Sequence, residues 1–280
     1  MAGATVPMEV PDSFPGRRDL VLAGVRYRLG HQVGRGAFST VYRASDEWGN
    51  RLVAKVYRAD LAPETWRNEA RMLERLRHPN LVHLHGSIEL DGCGYLLLSY
   101  GGIGVGRLLP QTPVQRLAVA RVVAQGMLQA LHHIHAAGCV HADVSPGNVL
   151  VDRRAAQARV TLCDLGLCFD VADPPSRLKL PDWSPPPERL LPGRPGAVSP
   201  AMDVYAAAML LLQVLCGTQD TSFDADEIRA GRPAASATAL GTPLGDALAS
   251  ALAPAPAERP SALELWRRLQ RAFPPVQPRP

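Results

Sequence analysis

The sequence predicts an α+β protein of two lobes: a small β-rich lobe with one helix, followed by a mainly helical lobe. Two observations carry this. Strand-like segments joined by short Gly- and Asp-containing turns fill the chain up to Ser99, and beyond a Gly-rich stretch at 101–106 the apolar periodicity becomes helical. With 280 residues, 46% of them hydrophobic, the chain can bury one large core or two unequal ones.

Taken in order, residues 1–22 contain Pro and Gly without periodicity and read as an extension. The folded domain is expected over 23–273, with a first lobe at about 23–99 and a second at about 103–273. A Pro-rich tail, 274–280, closes the chain. From Tyr27 the pattern suits a three-strand meander: a strand, a Gly-rich turn, a strand around Val41, a hairpin turn at Glu47–Asn50, and a strand around Lys55. Trp66, Glu69, Ala70, Leu73 and Leu76 recur at helical spacing, which predicts an amphipathic helix over 63–77. Two further strands flank the turn at Asp91–Gly94. The second lobe opens with a long helix over Val114–His135, then short strands at 148–151 and 160–163 and a Pro-rich loop at 174–187. Helical segments at 201–216 and 244–271 complete it, and a ligand pocket is expected at the seam of the lobes.

Composition narrows the function classes. The formal net charge of +4 comes from 30 cations and 26 anions with no like-charge block, which points to neither nucleic acid nor a membrane surface. The cysteines, 93, 139, 163, 168 and 216, are odd in number and lack metal-ligand spacing, so they read as reduced and structural. No signal pattern opens the chain, and its most apolar run, Ala206–Cys216, is too short to span a bilayer; a soluble, cytoplasmic or nuclear protein is expected. Only residues 55 and 179 are lysine, so a lysine retained here invites a chemical explanation.

The turn Gly34, Arg35, Gly36, Ala37, Phe38, Ser39, with Val41 after it, could let backbone N–H groups approach a triphosphate, though an ordinary hairpin turn reads the same way. Lys55 on the following strand could place an ammonium on phosphates beneath that loop, and Glu69 could be its counter-ion or simply an exposed helical glutamate. The second lobe is more specific. Asp143 could orient an attacking hydroxyl and accept its proton, while Asn148 and Asp164 supply hard oxygen ligands for Mg²⁺. A set of mere turn caps would need several coincidences at this spacing.

At these residues the chain resembles the eukaryotic-type protein kinases, from about Tyr27 to Phe273. The Gly-rich loop, Val53-Ala54-Lys55, Glu69 before His78-Pro79-Asn80, His141-Ala142-Asp143 with Asn148, Asp164-Leu165-Gly166, Pro187-Glu188, Asp203 and Arg259-Pro260 follow the family's order. The resemblance implies a bilobal protein-kinase fold and ATP- and Mg²⁺-dependent transfer to Ser/Thr hydroxyls of a protein substrate. It implies Asp143, Lys55 and Glu69 as the catalytic set, with Asn148 and Asp164 as metal ligands. It further implies Ser99–Gly101 and a Leu98 gatekeeper at the adenine, with Val41, Ala54 and Leu150 sandwiching the ring. Leu73, Leu84, His141 and Leu165 would form a stacked core, and Glu188 would pair with Arg259. The stretch 141–151 also resembles herpesvirus-encoded kinases.

Departures from the pattern have consequences. Ala142 replaces the arginine that reads an activation-loop phosphate, so control by that phosphate is not expected. Ser145 replaces a lysine on the γ-phosphate, which should weaken transition-state stabilisation. Pro181 and Pro185 fall where residues shaping the substrate shelf are usual. Two other readings stay open: a pseudokinase scaffold that binds nucleotide or partners, and a small-molecule phosphotransferase.

Overall fold

The structure is a computed structural model that describes residues 19–108, 112–154, 158–175, 183–190, 198–217 and 223–275. Lys179, Pro181, most of the expected N-terminal extension and the end of the Pro-rich tail lie outside the described residues.

By its contacts the chain divides into two units, the first running to Leu61 and including Gly86–Leu98, the second made of Ala62–His85 and the chain from Ser99 onward. The first unit is built on strands β1 (Asp19–Leu22), β2 (Val25–Arg35), β3 (Ser39–Asp46), β4 (Arg51–Tyr57), β5 (Leu84–Leu90) and β6 (Cys93–Ser99). They form one six-stranded sheet in the order β1-β2-β3-β4-β6-β5. Strand β1, read from sequence as part of the extension, pairs with β2 from Asp19↔Arg28 to Leu22↔Val25. It was hidden because only Leu20 of its four residues is buried, too short a pattern to register as period two. Leu20, Tyr27, Leu29, Ala44, Leu52, Ala54, Val56, Tyr95 and Leu97 make the apolar core on one face of this sheet.

The second unit begins with helix α1 (Glu64–Arg75), which buries Glu69, Ala70, Met72 and Leu73. The helix expected in the small lobe thus belongs, by its contacts, with the second unit. Strand β7 (Ile103–Gly104) leads to α2 (Pro113–Ala136), whose start is fixed by a Thr112–Gln115 capping box with proline at the first turn. Nine buried residues of α2, among them Val123, Met127, Leu131 and Ile134, form its core face. At about 1.5–3 kcal/mol for each large aliphatic buried, that face outweighs any intrinsic helix preference.

Strands β8 (Cys139–Val140), β9 (Val149–Asp152), β10 (Arg159–Leu162) and β11 (Phe169–Asp170) follow. β9 and β10 pair antiparallel, β7 adds to the β9 edge, and β11 pairs with β8. Helix α3 (Ala201–Cys216) is buried almost all round from Met202 to Leu212 and stops at Gly217, which takes the left-handed conformation. The short α4 (Ala225–Arg229) and α5 (Arg232–Thr238) had no legible periodicity in sequence. The span 244–271 resolves into two helices, α6 (Pro243–Ala251) and α7 (Ala262–Ala272). Pro254 and Pro256 interrupt it, since proline lacks the N–H that a helix interior needs.

Candidate active site

In the first unit, the Gly-rich segment is the β2–β3 hairpin, closed by the Gly36 N–H donating to the Ser39 carbonyl at 2.8 Å. Gly34 lies opposite Val41, and Val41 opposite Lys55, so these three share one face of the sheet. Arg35, Gly36, Ala37 and Phe38 at the tip are exposed, whereas Ser39 is buried. Lys55 is 7% exposed, with its Nζ 5.2 Å from the centre of the Tyr57 ring.

Strand alternation corrects one expectation. Ala54, adjacent to Lys55, faces the other way and is wholly buried in the core with Leu52 and Val56. The residue that shares the Lys55 face is Val53, half-buried and paired with Arg43. The sequence argument missed Val53 because it counted back one residue from the lysine, whereas a pleated strand requires two.

In the second unit, Glu69 is wholly buried on α1, not the exposed helical glutamate of the bland reading. Leu73, Leu84, His141 and Leu165 are all buried too. Leu98 is buried on β6, and the next residue, Ser99, donates its N–H to the His83 carbonyl at 2.9 Å while its hydroxyl lies 2.8 Å from His85 Nε2. Gly101 packs against the half-buried Leu150: a Cβ there would lie 2.8 Å from Leu150 Cδ1.

The loop from His141 to Asn148 is held by one buried carboxylate. Asp203 on α3 accepts from the N–H groups of His141 at 2.8 Å and Ala142 at 2.9 Å, and lies 2.9 Å from His135 Nε2. Burial pushes the Asp203 pKa up, but the hydrogen bond from His135 and the backbone N–H of His141 help hold the carboxyl below the usual range. The grip matters because Ala142 sits at φ 64°, a left-handed conformation that costs a non-glycine residue about 1–3 kcal/mol. His141 adds a second tie: its Nδ1 accepts from the Asp143 N–H at 3.2 Å, so Nε2 donates to the Cys163 carbonyl at 3.2 Å.

These ties converge on three side chains. Asn148 Nδ2 donates to the Asp143 carbonyl at 2.9 Å and to Asp143 Oδ2 at 2.8 Å, which fixes the amide orientation and leaves Oδ1 as its donor atom toward a cation. Asn148 and Cys163 lie opposite each other just outside the β9–β10 ladder, joined by the Cys163 N–H donating to the Asn148 carbonyl at 2.9 Å. Asp164 is therefore one residue from the position facing Asn148. Its φ of 65° is a second left-handed residue, and its Oδ1 accepts from the Gly166 N–H at 3.4 Å. An amide oxygen and a carboxylate are hard oxygen donors of the kind Mg²⁺ takes, so the chemistry of Asn148 and Asp164 fits that ion.

The Gly-rich stretch at 101–106, first read as a boundary, has a contact role. Gly102 has φ 113°, and a Cβ there would meet the Val151 carbonyl oxygen at 2.2 Å. Gly106 donates its N–H to the Pro146 carbonyl at 3.2 Å, so this stretch braces the loop between Asp143 and Asn148. Glu188 and Arg259 form a bidentate pair at 2.8 and 2.7 Å, with the Arg259 guanidinium also bonded to the carbonyls of Ala253, Pro254 and Ala201. Such full satisfaction is what makes a buried pair tolerable, and removing one partner typically costs about 3–5 kcal/mol.

A sequence profile of the protein kinase domain matches residues 27–267. The chain belongs to the protein kinase family. Among similar proteins are a probable myosin light chain kinase of Dictyostelium discoideum, 29% identical over 203 residues, covering 68% of this chain and 63% of that protein. Another is the calcium/calmodulin-dependent protein kinase type II subunit delta of Oryctolagus cuniculus, 31% identical over 153 residues, 52% of this chain and 28% of that protein. The matched region thus spans under two thirds of either relative. These relatives place the kinase in the eukaryotic-type group. No helix among the described residues is long and apolar enough to cross a membrane.

Proposed function

We propose that this kinase domain transfers the γ-phosphoryl group of ATP, with Mg²⁺, to Ser or Thr hydroxyls of a protein substrate. The observation that carries the reading is the Asn148 amide held on Asp143 at 2.8 Å, at the hairpin end next to Asp164. Asp143 receives the acceptor hydroxyl and takes its proton as the oxygen–phosphorus bond forms and the bond to the ADP oxygen breaks. Asn148 Oδ1 and the Asp164 carboxylate would hold Mg²⁺, which would supply neutralisation of charge on the phosphates. In the first unit, Lys55 acts on the α and β phosphates, with Val41 and Val53 on the same face of the sheet. In the second unit, Glu69, Leu150 and Ser99–Gly101 take the roles that the resemblance assigns them.

Ser145 supports a second reading, a nucleotide- or partner-binding scaffold, because no lysine at that position neutralises the transferring phosphate. Its neighbours argue for catalysis: both metal ligands and Asp143 are present and held by the bonds described above. The test is incorporation of labelled γ-phosphate from Mg·ATP into the protein and into a generic basic protein, followed by identification of the phosphorylated residue. Lys55→Met should reduce transfer at least a hundredfold while the thermal midpoint stays within a few degrees, since the ammonium serves phosphate rather than packing. Full turnover by Lys55→Met would overturn the assignment of Lys55, and phosphotyrosine as the product would overturn the Ser/Thr assignment.

A further inference from the structure

We propose that Asn68 and Arg75 are positioning residues that tie α1 to the segment after Asp164, holding Glu69 and Asp164 in register by unmodified side chains alone. The inference rests on the phosphotransfer reading for what that register serves. Asn68 Nδ2 donates to two carbonyls at once, Gly166 at 3.3 Å and Cys168 at 3.2 Å. Asn68 is the residue before Glu69. Gly166 is the residue whose N–H caps on Asp164 Oδ1, so its N–H is bound to one proposed functional carboxylate and its carbonyl to the neighbour of the other.

Arg75 lies seven residues further along α1, two helical turns, and therefore on the same face as Asn68. Its Nη1 donates to Asp170 Oδ2 at 3.1 Å and its Nη2 to the Ala137 carbonyl at 2.9 Å. Asp170 Oδ1 accepts from the Ala172 N–H at 3.1 Å, and Asp170 pairs with Cys139 where β11 meets β8. From β8 the chain enters His141, so the ties run from α1 through residues 166–170 to the loop carrying Asp143.

The energetics separate orientation from stability. The Arg75 and Asp170 side chains are 45% and 34% exposed, and an ion pair so exposed adds little to the folding free energy. Three bonds to backbone carbonyls and one to a carboxylate nonetheless fix direction, and a displacement of about 1 Å at a reacting group can cost about a hundredfold in rate. The left-handed Asp164 makes such a hold necessary, because that conformation persists only where its surroundings determine it. Ala142 removes the arginine that would engage a loop phosphate, and the two α1 side chains supply a tether that needs none.

The test uses the whole chain with Asn68→Ala, Arg75→Met, and the exchanged pair Arg75→Asp with Asp170→Arg. Hydrogen exchange of residues 164–170 in nucleotide-free protein is expected to be at least tenfold faster in Asn68→Ala than in wild type. The thermal midpoint should move by only a few degrees, and kcat should fall by about tenfold or more with KM for the acceptor protein unchanged. The exchanged pair should recover at least half of the kcat lost in Arg75→Met. Wild-type exchange and kcat in Asn68→Ala would overturn the proposal, as would a fall in kcat matched by a collapse of the thermal midpoint in all three variants. If wild type transfers no phosphate, the exchange measurement still decides the tether, and the missing transfer counts against the phosphotransfer reading alone.

Discussion

Asp203 shows how one buried carboxylate sets the shape of a loop whose contacted residues lie 61 and 62 positions earlier in the chain. It is 1% exposed and receives two backbone N–H groups and an imidazole. Because its folded pKa lies below the ordinary carboxylate value, the stability it contributes is present above about pH 4 and is lost as the pH falls through the folded value. The thermal midpoint of wild type should therefore drop as acid is added below about pH 4. Asp203→Asn should be less stable at pH 7 by about 1–3 kcal/mol and show a shallower acid dependence. Parallel midpoint curves for the two proteins would contradict this role. At the same scale, the spacing of Asp143 and Asn148 led to the expectation that they act together, and the structure joins their side chains at 2.8 Å. Ala54 was misread because motif spacing does not reveal which face of a strand a side chain takes, and the pleat gives that place to Val53.

Elements differ in how plainly they declare themselves. Helices α1, α2 and α3 were readable from periodicity and uninterrupted apolar runs, because each buries a continuous face. The four-residue β1 and the short α4 and α5 were not, since elements this short hold too few residues to show a period. The Gly-rich stretch at 101–106 gave the right composition and an incomplete meaning. It follows the point, Ser99, where the chain returns to the second unit, and it also lies against β9 and Pro146, where a side chain would collide. Gly102→Ala should cost at least about 2 kcal/mol, measured as a shift in the denaturant midpoint, because both its φ of 113° and the Val151 carbonyl oppose a Cβ. A change under about 0.5 kcal/mol would show that β7 moves aside without effect on the hairpin.

For the molecule as a whole, the order of the motifs along the chain carried the family, and the profile match over 27–267 agrees with it. What the order could not carry was the means by which the site is kept in shape: the Asp203 grip, the Asn68 and Arg75 ties, and the glycines under Pro146 all depend on contacts between distant residues. The central claim is that Asp143 and its neighbours form a working phosphotransfer site despite Ser145 and Ala142. The most direct measurement compares wild type with Asp143→Asn for labelled γ-phosphate transfer from Mg·ATP to a basic protein acceptor, at matched folding as judged by thermal midpoint. The account predicts clear incorporation by wild type and a loss of at least about a thousandfold in Asp143→Asn, whereas equal incorporation by the two proteins would contradict it.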